Sequence, residues 1–161
     1  MAMGGGAQAV NAATTGVPIQ AIIHGVVAVT QTRTLNFGSL TESGAGGTLN
    51  VDNTDAITAG GAVTSFGGAI AAGGFTLRGT TGRQIDVTGP LNVTISNGGA
   101  TMTVGSFTIN GAAGTINGTA FTHSLAMITE TGFRLGGTLN VSAGQAAGTY
   151  TGTVTITAAY N

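Results

Sequence analysis

Over residues 149–160 this chain alternates one position at a time. Tyr150, Gly152, Val154, Ile156, Ala158 and Tyr160 hold one set of positions, and Thr149, Thr151, Thr153, Thr155 and Thr157 the other. Successive side chains of an extended strand point to opposite faces, so this segment presents one apolar face and one hydroxyl face. The apolar face has to be buried. The same period of two runs through most of the chain, and no stretch carries a 3.6-residue apolar period long enough for a structural helix. The pattern predicts an all-β protein. Thirty glycines fall between the alternating segments without a collagen-like period. Asn97-Gly98-Gly99, Asn110-Gly111 and Asn117-Gly118 are residue types that take positive φ at low cost, so they read as turns. Short strands separated by such turns, in 161 residues, predict one immunoglobulin-like β-sandwich.

The expected strands are 26–30, 34–37, 48–51, 75–78, 84–87, 91–95, 101–109, 121–128, 137–141 and 149–160, preceded by an alternating segment at 17–24 that Gly25 interrupts. In that first segment Val17, Ile19, Ala21 and Ile23 share a face. Residues 55–74 are rich in Ala and Gly and read either as a long loop or as a short strand around 63–66. The strings Gly47-Thr48-Leu49-Asn50-Val51 and Gly137-Thr138-Leu139-Asn140-Val141 are identical. Two short copies make no solenoid, and both read as strand starts with Leu and Val inward and Thr and Asn outward.

Charged residues make up 6% of the chain, the net charge is -1, and there is no lysine. Without a basic stripe to neutralise phosphates, nucleic acid is not an expected partner. Gly67-Gly68 and Gly73-Gly74 lack the lysine that a phosphate loop needs. Ser39, Ser65, Ser106 and Ser124 have no G-x-S-x-G setting, and His24 and His123 stand too far apart in sequence to read as a site. No cysteine is present, which removes disulfides, thiol nucleophiles and Cys-held metals together. Asp52-Asn53-Thr54-Asp55, with Glu42, lacks the spacing of a twelve-residue calcium loop and reads as an Asx-rich turn. A single row of threonines is no ice-binding plane. The expectation is a non-enzyme with no cofactor and no metal. No apolar run approaches the ~18 residues of a spanning helix, so no membrane span is expected. A chain that is 42% hydrophobic and nearly neutral is not a disordered composition, and it resists self-association poorly. Ala7-Gln8-Ala9 is an A-x-A tripeptide, which makes residues 1–9 either a remnant of an export signal or a chance match in an Ala- and Gly-rich start.

Counted back from Asn161, Tyr160 is penultimate and Gly148 is fourteenth. In this ending the chain resembles subunits of chaperone-usher pili. Gly148-Thr-Tyr-Thr-Gly-Thr-Val-Thr-Ile-Thr is also similar to the close of the spore coat protein U family, the archaic-pilus branch, and of an uncharacterised bacterial surface domain family. Leu35-Asn36-Phe37-Gly38-Ser39-Leu40 resembles those families, as does Gly136-Gly137-Thr138-Leu139-Asn140-Val141 followed by Ala143-Gly144-Gln145-Ala146-Ala147-Gly148. The resemblance implies a sandwich at 25–161 that lacks one strand. Its groove would be filled by a periplasmic chaperone during export and then, at an outer-membrane usher, by the extension of the next subunit.

On that footing 10–24 is the extension, Val17, Ile19, Ala21 and Ile23 are the donated side chains, and Gly148, Tyr150, Val154, Ile156, Ala158 and Tyr160 line the acceptor. Eight extended residues span roughly 26 Å, a full strand. Pro18 removes one ladder hydrogen bond, and the segment reads alternatively as the domain's own first strand. The missing disulfide is a departure from many such subunits. The function implied is a homopolymeric, extracellular filament for adhesion or biofilm formation. The alternative is a self-complete immunoglobulin-like coat or ligand-binding module.

Overall fold

A computed structural model of the chain describes residues 18, 20–117, 120–128 and 130–161. The described residues contain strands and no helix. In chain order the strands are β1 (Ala28–Arg33), β2 (Ser39–Val51), β3 (Ile57–Gly67), β4 (Gly73–Arg78), β5 (Gln84–Pro90) and β6 (Asn92–Ser96). They continue with β7 (Thr101–Ile109), β8 (Ala112–Ala113), β9 (Thr115–Asn117), β10 (Ala120–Ala126), β11 (Glu130–Val141) and β12 (Thr157–Tyr160). All pair antiparallel, in two sheets that form an immunoglobulin-like β-sandwich.

The larger sheet is organised around β11. One flank of β11 pairs first with β4, Phe133 opposite Phe75, and then with β2, Leu139 opposite Leu49. Its other flank pairs with β7, Leu139 opposite Val104. Outside these lie β1 on β4, β3 on β2 and β6 on β7. The smaller sheet runs β12-β5-β10-β9. Only Leu91 separates β5 from β6, although they belong to different sheets, so the chain crosses the sandwich at Pro90-Leu91. A proline has no N–H for a ladder and suits such a crossing.

The alternating inward residues of both sheets meet in one core. Leu49, Leu77, Leu135, Leu139 and Phe133 come from the larger sheet, and Ile85, Val87 and Phe121 from the smaller. Phe75 stacks on Phe133 with ring centroids 4.9 Å apart, and Phe107 meets Phe121 across the sheets at 6.0 Å. Each fully buried aliphatic or aromatic side chain stabilises the fold by about 1.5–3 kcal/mol relative to exposure. The two identical five-residue strings turn out to be antiparallel partners, with Gly137 opposite Val51 and Val141 opposite Gly47. Leu49 and Leu139 face each other in the core, while Asn50 Nδ2 on the other face donates to Thr138 Oγ1 at 2.9 Å.

Several boundaries differ from the sequence reading. Residues 57–67 form an eleven-residue strand where a loop or a short strand was expected. β2 starts nine residues before the expected 48, because its ladder with β3 resumes across an excursion at residues 43–46. Residues 34–37 form no strand beyond a single bridge from Asn36 to Ala71. The Asn36 side chain accepts from Gly38 N at 2.8 Å, and Gly38 has a φ of 71°, a turn that ends the extended run. The 26–30 strand lies at Ala28–Arg33 instead. Of 149–160, only Thr157–Tyr160 is laddered.

Candidate functional site

The C-terminal segment runs antiparallel beside β6 and then β5, crossing from one sheet to the other. Thr151 bridges Ser96, with N–O distances of 2.9 Å in both directions, and Thr157 then pairs with Thr88. Between these points residues 152–156 span 89–95, so the two backbones lose register. Gly152 makes the crossing feasible: a Cβ there would stand 2.7 Å from Ile95 Cγ2 and 2.9 Å from the Thr94 carbonyl oxygen. Among the described residues, the main chain of 152–156 makes no backbone hydrogen bond. Val154, Ile156, Ala158 and Tyr160 still turn towards the core and are partly buried, while Thr151, Thr153, Thr155 and Thr157 face solvent.

The two tyrosines of this segment mark different ends. At the C-terminal end the Tyr160 hydroxyl donates to Gly25 O at 2.8 Å and accepts from Thr80 N at 2.6 Å. Beside it His24 Nε2 lies 2.6 Å from Arg83 Nη2. The first residues of the body are thereby tied to the last strand. At the other end the Tyr150 hydroxyl donates to Ala146 O at 2.6 Å and accepts from Gln145 Nε2 at 2.8 Å, which holds the segment to its own preceding loop. β1 and the C-terminal segment therefore meet at the Tyr160 end and diverge towards Tyr150.

Between them lies a groove of about 1120 Å³. Residues 34–42 form one wall and residues 145–154 the other, and Phe75, Val93, Ile95, Phe107, Leu135 and Leu139 contribute to the floor. Leu35, Phe37, Leu40, Phe75, Val93, Ile95, Tyr150 and Val154 are only partly buried, although all pack on the core. Apolar side chains thus face an open slot alongside a run of main chain with free hydrogen-bonding groups. That is the set of features a single extended strand satisfies: pockets for alternate side chains and a ladder for its backbone.

Glu42 joins the two walls at the mouth. Its carboxylate accepts from Gly44 N and, at 2.7 Å, from Gly46 N of the β2 excursion, and from Gly144 N of the opposite loop at 3.0 Å. The Gly46 hydrogen bond, with those of Gly44 and Gly144, holds this carboxyl below the usual glutamate range despite some desolvation.

Asp55 fixes the start of the 34–42 wall by holding Arg33. It has a φ of 70° and accepts from Ala72 N at 2.8 Å, from Arg33 Nη1 at 2.7 Å and from Arg134 Nη2 at 3.0 Å. The Ala72 hydrogen bond first, and the two guanidinium groups after it, keep its carboxyl below the ordinary aspartate range. Neighbouring Asp52 caps the same turn, accepting from Thr54 N, Thr54 Oγ1 and Ala56 N. The Asp52–Asp55 stretch is an Asx turn carrying an ion-pair clamp, and among the described residues no three His, Cys, Asp or Glu side chains converge as a metal site.

Of the acceptor residues read from the sequence, Gly148, Tyr150 and Val154 line the groove. Ile156, Ala158 and Tyr160 lie on the same face beyond it, towards the closed end. Of the four donor candidates, Val17 and Ile19 lie outside the described residues. Ala21 and Ile23 are exposed in a segment that belongs to no strand, Ile23 at 95%. Sequence reasoning missed the Asp55 clamp and the bridging role of Glu42. The only available signal was that a chain with five carboxylates places three of them in or beside turn sequences.

A family model described as Domain of unknown function (DUF4402) matches residues 27–160. No curated protein and no solved structure matches the chain.

Proposed function

We propose that this chain, which belongs to the DUF4402 family, is a structural subunit of an extracellular, pilus-like filament polymerised by strand donation, serving adhesion or biofilm formation. The observation that carries this reading is the groove: a slot with an apolar floor beside the unladdered main chain of 152–156. The occupant is residues 10–24 of a neighbouring copy, with Val17, Ile19, Ala21 and Ile23 entering the floor. Ile22 and Ile23 are exposed at 69% and 95%, so their own domain does not bury these two side chains. Burial of several such side chains, at about 1.5–3 kcal/mol each, makes the joint slow to open.

The polarity of the joint follows from the anchor at Gly25. The extension leaves the body at the Tyr160 end, whereas the groove opens at the Tyr150 end. A segment folding back into its own groove would run parallel to residues 150–160. One arriving head to tail from the next copy runs antiparallel to them, which is the ladder that pairs slightly better per residue. The reading involves no catalysis and no cofactor. A periplasmic chaperone holding the groove before assembly and an outer-membrane usher are its expected partners.

The test compares the full chain with a chain starting at Gly25, by electron microscopy and SDS gels without boiling. The full chain is expected to give SDS-resistant polymers. The shortened chain should stay monomeric and bind a synthetic peptide of residues 17–24. A full chain that remains a stable monomer would support instead the self-complete coat or ligand-binding module.

A further inference from the structure

With four arginines and five carboxylates in the whole chain, each charge can be followed to its partner. Arg33 and Arg134 hold Asp55, and Asp52 in the same turn balances that group. Arg78 pairs with Glu130 at 2.7 Å. Asp86, on β5, is held by Ser124 Oγ and by Asn161 Nδ2 at 3.3 Å. Arg83 and Glu42 are left, and among the described residues neither meets a side chain of opposite charge. They stand at opposite ends of β11. Arg83 lies in the turn after β4, whose Arg78 is opposite Glu130, the first residue of β11, whereas Glu42 reaches Gly144, just past Val141, the last. A twelve-residue strand spans roughly 36 Å, so the two charges cannot meet within one copy.

Each sits where a head-to-tail joint would bring it. Arg83 is exposed, and its Nη2 lies 2.6 Å from Nε2 of His24, the residue before Gly25. Gly25 N in turn donates to Thr80 Oγ1 at 3.0 Å. The guanidinium therefore stands against the root of the extension, spending one N–H on the imidazole and having others to give. Glu42 stands at the groove mouth, and residues 43–46, 97–100 and 142–148 at the same end carry no charge. The Gly44, Gly46 and Gly144 amides that hold its carboxylate are neutral, so its negative charge is fixed in place and not cancelled. An extension seated in the groove up to Ile23 puts its own root, with Arg83 beside it, at the mouth of the copy that receives it.

We propose that Arg83 of one copy pairs with Glu42 of the next across the head-to-tail joint, an inference that rests on strand donation into the groove. The charges select the polarity of the joint: head to tail brings opposite signs together, whereas the two reversed encounters oppose two arginines or two glutamates. A solvent-facing ion pair adds little to the strength of a finished contact. Its effect is on the rate of encounter and on the rejection of wrong orientations.

The test is the initial rate at which the full chain forms SDS-resistant polymer at low salt. Arg83→Glu and Glu42→Arg, each alone, set like charges at every joint and should slow it about tenfold or more. An equimolar mixture of the two should return to within about threefold of the unsubstituted chain, because every joint of an alternating polymer is then matched. Salt at about 0.5 M should narrow these differences. Glu42→Arg also gives up three amide contacts, so a second rescue leaves Glu42 in place. Ser43→Arg, at the exposed neighbouring position, should speed the Arg83→Glu chain about threefold or more. An Arg83→Glu chain that polymerises at the unsubstituted rate would overturn the proposal, as would recovery in neither the mixture nor the Ser43→Arg chain. Binding of the 17–24 peptide to the unsubstituted chain starting at Gly25 separates the two failures. If the peptide binds while the charge variants show no rescue, the ion pair falls and strand donation stands; if the peptide does not bind, both fall.

Discussion

β11 and the C-terminal segment carry the same kind of sequence and occupy opposite situations. Both alternate apolar residues with threonine and other small polar residues, and both turn one face to the same core. β11 is flanked on both sides by strands, and Leu135, Leu139 and Val141 are at most 4% exposed. Among the described residues the C-terminal segment is hydrogen-bonded to neighbouring strands along one side, crosses from β6 to β5 without a regular ladder, and leaves Val154 and Ile156 partly open. Alternation obliges one face to be buried and says nothing about the two edges. Whether such a strand becomes a core element or an acceptor depends on what the rest of the chain places beside it. Here the chain places strands beside β11 and a groove beside residues 149–154.

Substitutions that remove the same kind of side chain from the two strands should differ most. Leu139→Ala is expected to cost about 2–5 kcal/mol in urea denaturation, because the surrounding core cannot collapse into the space. Val154→Ala in the unpolymerised subunit should cost about 1 kcal/mol or less, since part of that side chain faces the groove. Equal losses would abolish the distinction between a core strand and an acceptor strand.

The two tyrosines sharpen the contrast between the closed and open ends. Tyr160→Phe deprives both Gly25 O and Thr80 N of a partner and should lower stability by about 1–3 kcal/mol. Tyr150→Phe touches only the adjacent loop and should cost about 1 kcal/mol or less. A larger loss at Tyr150 would mean that the groove end, not the Tyr160 end, holds the sandwich together.

Acid provides the smallest effect. Glu42, Asp52 and Asp55 all have carboxyls held below their ordinary values of 4.5, 3.8 and 3.8. A group with a depressed folded pKa contributes stability that is present above its unfolded pKa and is lost as pH falls through the folded one. The Tm should therefore be level from neutrality down to about pH 5 and decline below about pH 4, with amides at the Glu42 mouth exchanging before those of β11. A Tm that rises on acidification would contradict the assigned hydrogen bonds.

The all-β class was legible because period two is a backbone property that no other regular element shares. The 101–109 strand matched its expected bounds, because its residues alternate without a glycine run and an Asn-led turn stands at each end. β3 escaped recognition because Ala and Gly erase the apolar contrast along it. β2 was read short because three glycines between 44 and 47 suggest a loop, whereas two of them give the N–H groups that hold Glu42. The alternation of the C-terminal segment was legible, but its loss of register at Gly152 depends on the approach of Ile95, a residue distant in sequence. The groove was not legible in the alternation, since an open slot leaves no periodicity of its own. The Asp55 clamp joins residues 22 and 79 positions away, beyond the reach of local patterns.

The central claim is that residues 149–156 form an acceptor edge with its hydrogen-bonding groups open. Amide hydrogen exchange on the chain starting at Gly25, with and without a peptide of residues 17–24, tests it most directly. The account predicts fast exchange at 152–156 in the free chain, strong slowing on addition of the peptide, and no change in β11. Amides at 152–156 that are already slow in the free chain, or that the peptide leaves unchanged, would contradict it.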